Sequence, residues 1–308
     1  MTATATSPLP ASARRVPALR RSWLFVPGAE RKSLLAAAKS GADVLIQELE
    51  DFTPPNRRPE ARSIAGEIYA AWRAAGAVAA VRVNPLEGDG REDLVAVMRG
   101  RPDVVLLPKV ATPRQIVALA EEVERLERAL GIPPGATELA PNIESARGVI
   151  QAYAIATASP RVTGVLGSTE DMAADLGAIR SKDAVELAYV RQRLHVECVA
   201  AGVLSVDCPY TFTDLPGCEA EARAARRWGY AAKSAVDPSQ IAIINQVMTP
   251  GRDEIREARA VVAAFEAARA RGEDRARLGD RLIEVPFYRN AKRLLARAAA
   301  LGVDDKAD

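Results

Sequence analysis

Two acidic residues in well-defined local contexts pose the first chemical question. Glu144 stands in N-I-E-S-A-R-G and Asp171 in G-S-T-E-D-M, 27 positions apart. Two carboxylates completed by waters suit Mg2+, a hard ion that keeps positions open for a substrate's oxygens. A 2-oxo acid offers a carboxylate and a ketone oxygen to fill them. Arg82 lies between Val81 and Val83, so strand alternation turns it to the face opposite theirs, where its fork can hold a carboxylate or a thioester enolate. Glu48, Glu50, Asp51, Asn84, Asn142, Glu170, Asp207 and Asp237 follow apolar runs in the same way. Each of these carboxylates also reads as a helix N-cap or first-turn residue. Lys109 and Lys233 raise a different chemistry, because a desolvated lysine can form a Schiff base with a ketone. Pro108 and the acidic surroundings favour an ion-paired Lys109.

The rest of the composition narrows the choice. His195 is the single histidine, which removes Ser/His/Asp and Cys/His nucleophile sets and any zinc site built on several imidazoles. It falls in a helical pattern and reads as a packing residue. Cys198, Cys208 and Cys218 are odd in number and lack C-x-x-C spacing, so they indicate neither a disulfide framework nor structural zinc, and a reducing cytoplasm fits best. The net charge of +2 comes from 42 basic and 40 acidic side chains, interspersed, which argues against a nucleic-acid footprint. Hydrophobic residues make up 48% and aromatics 5% of 308 residues, so the core is aliphatic and alanine-rich. No apolar run reaches the length of a transmembrane helix.

The elements that must position these side chains alternate regularly. Short apolar runs at 22–28, 43–50, 77–85, 103–109, 138–144, 162–168, 204–210 and 231–238 are separated by helical patterns. One of these helices is marked by Thr112 as cap, Pro113 at the first position and Gly131 beyond its end. Eight strand–helix units are the count of a (β/α)8 TIM barrel over residues 22–250, whose chemistry sits at the C-terminal strand ends. A doubly wound open sheet is the alternative, but no G-x-G-x-x-G follows an early strand. Residues 1–21, with four Arg and no acid, read as a disordered tail, and 251–308 as a C-terminal helical arm or oligomer contact.

Taken together, SWLFVPGAERKSLLAAAKSGADVLIQELED, AVRVNP, LLPKV, NIESARGVI, LGSTEDMAADLG and AKSAVDPSQIAIINQVMTP resemble the citrate lyase beta-subunit family and its malyl-CoA and citramalyl-CoA lyase relatives, in the HpcH/HpaI aldolase superfamily. The resemblance runs from about Arg21 to Pro286. It implies a barrel assembled into trimers or hexamers, Mg2+ held by Glu144 and Asp171, and Arg82 in contact with substrate. It implies cleavage or formation of a C–C bond between a 2-oxo acid and an acetyl thioester of CoA or of an acyl-carrier protein, and in some members thioester hydrolysis. It also implies that the C-terminal arm reaches a neighbouring subunit, delivering an acidic residue at the position of Glu284.

The expected catalytic residues are therefore Arg82, Glu50 and Glu284, with Glu50, Asp51, Pro27, Gly28 and Ser168 as further substrate contacts. The loop from Pro27 to Lys32 is a candidate for the CoA phosphates. Three departures bear on the substrate. Where relatives read L-D-L-E-D and [ILM]-D-x-P, this chain has Gln47-Glu48-Leu49-Glu50-Asp51 and Ile283-Glu284-Val285-Pro286, and the family's H-P-S-Q is Asp237-Pro238-Ser239-Gln240. Each Glu adds roughly 1.5 Å of reach, enough to misplace a proton donor unless the backbone compensates. The leading expectation is a Mg2+-dependent lyase on a malyl- or citramalyl-type thioester. A metal-dependent aldolase on free hydroxy acids, a Schiff-base aldolase, a thioesterase and a partner-dependent subunit are the rivals.

Overall fold

The computed structural model describes residues 14–304. The strands β1 (Ser22–Pro27), β2 (Val44–Glu48), β3 (Val78–Arg82), β4 (Val104–Leu107), β5 (Glu138–Ile143), β6 (Gly164–Gly167), β7 (Leu204–Asp207) and β8 (Ala232–Ala235) pair in parallel, in sequence order, and β8 closes onto β1. This is the expected (β/α)8 barrel. The crossovers carry α1 (Arg31–Ala37), α2 (Arg58–Ala74), α3 (Gly90–Val97), α4 (Pro113–Ala129), the short pair α5 (Ala146–Ile150) and α6 (Ala152–Ala156), α7 (Glu170–Leu176), α8 (Ala188–Ala201) and α9 (Leu215–Trp228). After β8 comes α10 (Ile241–Met248), within which the chain divides into two compact units at Gln246.

Strand alternation decides what fills the barrel. Trp23, Phe25, Val44, Ile46, Val78, Ala80, Val104, Leu106, Ala140, Leu166, Val206 and Ala232 form one buried cluster, one residue in two along each strand. Two bulky rings on β1 share this cluster with alanines on β3, β5 and β8, and Gly164 on β6 borders the Trp23 ring, whose edge lies 3.9 Å from where a Cβ would stand, at ordinary contact distance. Large and small residues thus share the interior at close-packed density. The same parity carries Glu48, Arg82, Asn142, Glu144 and Ser168 to the inner face at the C-terminal end.

Helix α4 forms as its sequence dictates: Thr112 makes a capping box with Gln115, Pro113 opens the helix, and Gly131 adopts φ 62° just beyond it. The expected tail over 1–21 lies outside the described residues as far as position 13. From Arg14 the segment is held in place: Arg14 bonds the Asp103 and Ala136 carbonyls, Arg20 grips Glu138 through two bonds at 2.6 and 2.8 Å, and Arg21 pairs with Asp43. The acid-free run supplies the cations for acids at the N-terminal ends of β2, β4 and β5, a use its composition alone did not reveal.

The second unit contains α11 (Arg252–Ala270), the antiparallel hairpin β9 (Ala276–Leu278) and β10 (Arg281–Ile283), and α12 (Val285–Ala300). Its core gathers Ala258, Val261, Phe265, Ala276, Ile283 and Ala291, with Phe265 stacked on Tyr288 at 4.8 Å. Between the two helices of the expected helical extension stands a hairpin that the sequence reading did not include. Gly279, at φ 61°, permits the tight turn between β9 and β10, and Ile283 buries as a strand residue. Among the described residues no helix is long and apolar enough to cross a membrane.

Candidate active site

Arg82, the last residue of β3, is almost fully buried and meets three carboxylates. Its Nε donates to Glu48 at 2.9 Å, and its two terminal nitrogens lie 3.3 Å from Glu50 and 3.6 Å from Glu144. The guanidinium also sits over the rings of Phe25 at 5.0 Å and Phe52 at 5.8 Å. Burial alone would disfavour the cation, but the charges of Glu48, Glu50 and Glu144 outweigh it and raise its pKa.

Glu48 has no exposed surface and works inside the wall of the site. Its two oxygens accept the backbone N–H of Glu50 and of Phe52 at 2.6 and 2.5 Å while one of them also holds Arg82. The methylene by which it exceeds the Asp that the resemblance led one to expect is absorbed in this double cap, which shapes the loop that presents Glu50 and Asp51. Glu50 is buried and Asp51 exposed, and Lys109 pairs with both, lying 3.4 Å from Asp51. Burial pushes the Glu50 carboxyl above its ordinary range, against the pull of Arg82 and Lys109. Burial also works against the Lys109 ammonium, but the bond to Glu50 prevails and its pKa is raised.

Glu144 lies at the end of β5 with Asn142 two residues before it, and the Asn142 amide donates to its Oε1. Burial, with the neighbouring charges of Asp171 and Glu50 and against that of Arg82, raises the Glu144 pKa to about 7. Asp171, in the first turn of α7, accepts from Ser168 Oγ at 2.8 Å. Three acceptor oxygens of the mouth are buried without a hydrogen-bond partner, Glu144 Oε2, Asn142 Oδ1 and Glu50 Oε2, the last of them 3.3 Å from the Arg82 guanidinium. Such orphans cost about 1–3 kcal/mol each unless something fills the gap. Two carboxylates and an amide oxygen fit a hard divalent cation, with water and substrate completing its shell. Among the described residues no group of three or more His, Cys, Asp or Glu converges as a ligand set.

The other expected contacts are placed as follows. Gly28 N donates to Thr53 Oγ1 at 2.9 Å, and a Cβ there would come 2.4 Å from the Glu48 carbonyl. The glycine thus lets β1 approach the loop after β2. Gly28→Ala is expected to cost about 1–3 kcal/mol, read as a lower Tm, because the obstacle is backbone. Pro27, half-buried, pairs with Glu48. Asn84 ties the β2 and β3 loops through Leu49 O and Asp93, and Asp237 caps a turn by accepting from Ser239 N at 2.8 Å. Glu284 is exposed in the second unit, as the N-cap residue of α12.

Asp207 and Lys233 are not in the mouth, a correction to their reading as mouth residues. Val206 and Ala232 point inward, so their neighbours point out, between the strands and the helices. There Lys233, fully buried, bonds Asp207 and Glu221 at 2.7 Å each and the Cys208 carbonyl, while Arg191 grips Asp207 at 2.9 and 2.8 Å. The partners hold its pKa up against burial. A charged, enclosed lysine cannot attack a ketone, so borohydride with pyruvate is expected to leave both Lys233 and the ion-paired Lys109 unmodified by mass spectrometry; a trapped adduct on either would reinstate the Schiff-base route. His195 bonds Ser205 at 2.7 Å and packs on Tyr230, and the three cysteines are free and buried.

Missed at first were the structural part of Glu48 and the partnership of Asn142 with Glu144. Alternation was the available signal for the second, since Asn142 and Glu144 fall on one face. The loop cap made by Glu48 has no such signal.

A closed parallel barrel whose mouth combines a guanidinium held by three carboxylates with orphaned acidic and amide oxygens defines a (β/α)8-barrel protein with a cation-competent acidic site. The chain belongs to the HpcH/HpaI aldolase/citrate lyase family, whose model matches residues 21–238. It is 33% identical over 289 residues to the citrate lyase subunit beta of Escherichia coli (strain K12), covering 93% of this chain and 96% of that protein. It is 30% identical over 283 residues to the (3S)-malyl-CoA thioesterase of Cereibacter sphaeroides (strain ATCC 17025 / ATH 2.4.3), covering 91% and 95%. Among solved structures, CitE from Mycobacterium tuberculosis in complex with magnesium, acetoacetate and coenzyme A superposes with a TM-score of 0.74 at 26% identity, over 92% of this chain and 100% of that one.

Proposed function

We propose that the protein is a Mg2+-dependent carbon–carbon lyase, which cleaves or forms a 3-hydroxyacyl-CoA thioester of the malyl or citramalyl type, releasing or consuming an acyl-CoA and a 2-oxo acid. The observation that carries this reading is the pair of buried, unpartnered oxygens on Glu144 and Asn142 beside the Arg82 guanidinium. Glu144 and Asp171 are the residues that would hold the ion. Bound there, Mg2+ supplies Lewis acidity toward the hydroxyl and ketone oxygens of the acid portion.

The protein's own groups carry the proton and the developing charge. Glu50 is buried and raised in pKa, and its Oε2, engaged only by the 3.3 Å ion pair with Arg82, is free of hydrogen bonds, which suits it to take the substrate's hydroxyl proton. The O–H electron pair then becomes the ketone π bond, and the cleaved C–C pair passes to the thioester as an enolate. Arg82, fixed by three carboxylates and two rings, offers preorganised positive charge to that oxygen. Protonation at the enolate carbon releases the acyl-CoA, and Glu284 from a neighbouring subunit's arm is the proposed donor. Assembly as a homo-oligomer in the cytoplasm belongs to this proposal, as does an acyl-carrier protein in place of CoA.

The thioesterase among the relatives supports hydrolysis as the second reading. Both are tested by incubating the purified protein with Mg2+ and malyl-, citramalyl- and methylmalyl-CoA stereoisomers, with an EDTA control, and reading products by mass spectrometry. A 2-oxo acid with an acyl-CoA, abolished by EDTA, is the expected outcome. Free CoA with the intact hydroxy acid would replace the lyase by the thioesterase, and turnover of the free hydroxy acids alone would make it a CoA-independent aldolase.

A further inference from the structure

The sequence A-K-S-A-V-D-P-S-Q after β7 and α9 carries three buried polar side chains that the proposed reaction does not use: Lys233, Ser234 and Gln240. All three donate to the same short stretch of backbone. Ser234 Oγ bonds the Asp207 carbonyl at 2.9 Å, Lys233 bonds the Cys208 carbonyl, and Gln240 Nε2 reaches the Tyr210 and Phe212 carbonyls at 3.0 and 3.4 Å. The loop after β7 is thus fastened from behind, one carbonyl after another.

Its front side meets the segment that leads to Asp171. Cys208 Sγ lies 3.5 Å from the Ser168 carbonyl, Thr169 Oγ1 donates to the Pro209 carbonyl at 3.3 Å, and Thr211 pairs with Glu170. Gly167 has no side chain to hold the two loops apart, since a Cβ there would lie 2.6 Å from Cys208 Sγ. Ser168 then donates directly to Asp171 Oδ2 at 2.8 Å. Four consecutive residues before the acid are therefore shaped by the β7 loop.

We infer that Lys233, Ser234 and Gln240 are positioning residues for Asp171, acting through the carbonyls of Asp207, Cys208, Tyr210 and Phe212 to set the geometry of the cation site. This rests on Asp171 being a ligand of that ion, and gives a purpose to buried charge whose replacement by apolar groups is often neutral for stability.

The test is Mg2+ binding by calorimetry on the full chain, together with hydrogen exchange of amides 168–172 in EDTA. The double variant Ser234→Ala/Gln240→Met keeps volume and all charges. It is expected to bind Mg2+ about 10-fold more weakly, the size of effect seen when outer partners of metal ligands are removed, and to exchange faster at 168–172. Ser22→Ala is the control, because Ser22 is equally buried and pairs with Lys233 across the sheet, but its hydroxyl bonds Asn245 and Asp43 N instead of the carbonyls after β7; its Mg2+ affinity is expected to match wild type. Should the double variant not fold, Ser234→Ala alone carries the test with a smaller fold-change. A folded variant with wild-type affinity, or equal weakening in Ser22→Ala, overturns the inference and leaves the lyase reading standing. A wild-type protein that binds no Mg2+ overturns both.

Discussion

Arg82→Met is expected to reduce turnover by about 10^3-fold and to destabilise the fold by about 3–5 kcal/mol. The two losses have different origins. Catalysis loses the preorganised charge facing the thioester oxygen. Stability falls because Glu48, Glu50 and Glu144 lose a shared cation while buried, and their mutual repulsion is no longer offset. Arg82→Lys separates the effects: it restores one positive charge, but a point charge cannot meet three carboxylates in the directions the guanidinium does. The lysine variant is expected to regain much of the Tm while its kcat/KM remains at least roughly 10-fold depressed. A methionine variant with near-normal turnover would remove Arg82 from the reaction.

Glu144→Gln is expected to weaken Mg2+ binding by at least about 100-fold, more than the loss of an outer partner costs. The same variant has an opposite effect on the metal-free protein. Burial and the nearby acids hold the folded-state pKa of Glu144 at about 7, above its value in the unfolded chain. Folding therefore takes up a proton between the two values: this contribution to stability is fully present below the unfolded pKa and is lost as pH rises through about 7. Glutamine mimics the protonated acid at every pH. In EDTA at pH 8 the variant is expected to be more stable than wild type by about 2–3 kcal/mol, a difference that shrinks towards pH 5. Melting curves across that range, with and without Mg2+, check both halves. Wild-type Mg2+ affinity is expected to fall by up to about 10-fold per pH unit below 7, as proton and metal compete for one carboxylate. An affinity indifferent to pH, or a glutamine variant that still binds, would take Glu144 out of the site.

The placement of several candidate site residues was legible in the sequence, and the reasons are local. The inward direction of Arg82 follows from the valines on either side of it, and the spacing of Glu144 and Asp171 by one strand–helix unit puts them just after the neighbouring strands β5 and β6, Asp171 in the first turn of α7, since parallel neighbours in a barrel follow sequence order. Thr112, Pro113 and Gly131 bounded α4 because caps act within a few residues. Other features depend on partners distant in sequence. Lys233 and Asp207 stood at strand ends like true mouth residues, yet they turn outward because Val206 and Ala232 take the interior places, and their charges are met by Arg191 and Glu221 from two different helices. Glu48 looked like a misplaced proton donor until its carboxylate was found capping the backbone of Glu50 and Phe52. Arg14, Arg20 and Arg21 read as a loose tail, yet acids up to 124 positions away hold them. Residue type and period determined which strands form and which side chains can face one cavity. Which of those charges are paired, buried or left orphaned was decided only when the barrel closed, because burial and ion pairing are properties of the whole packed chain.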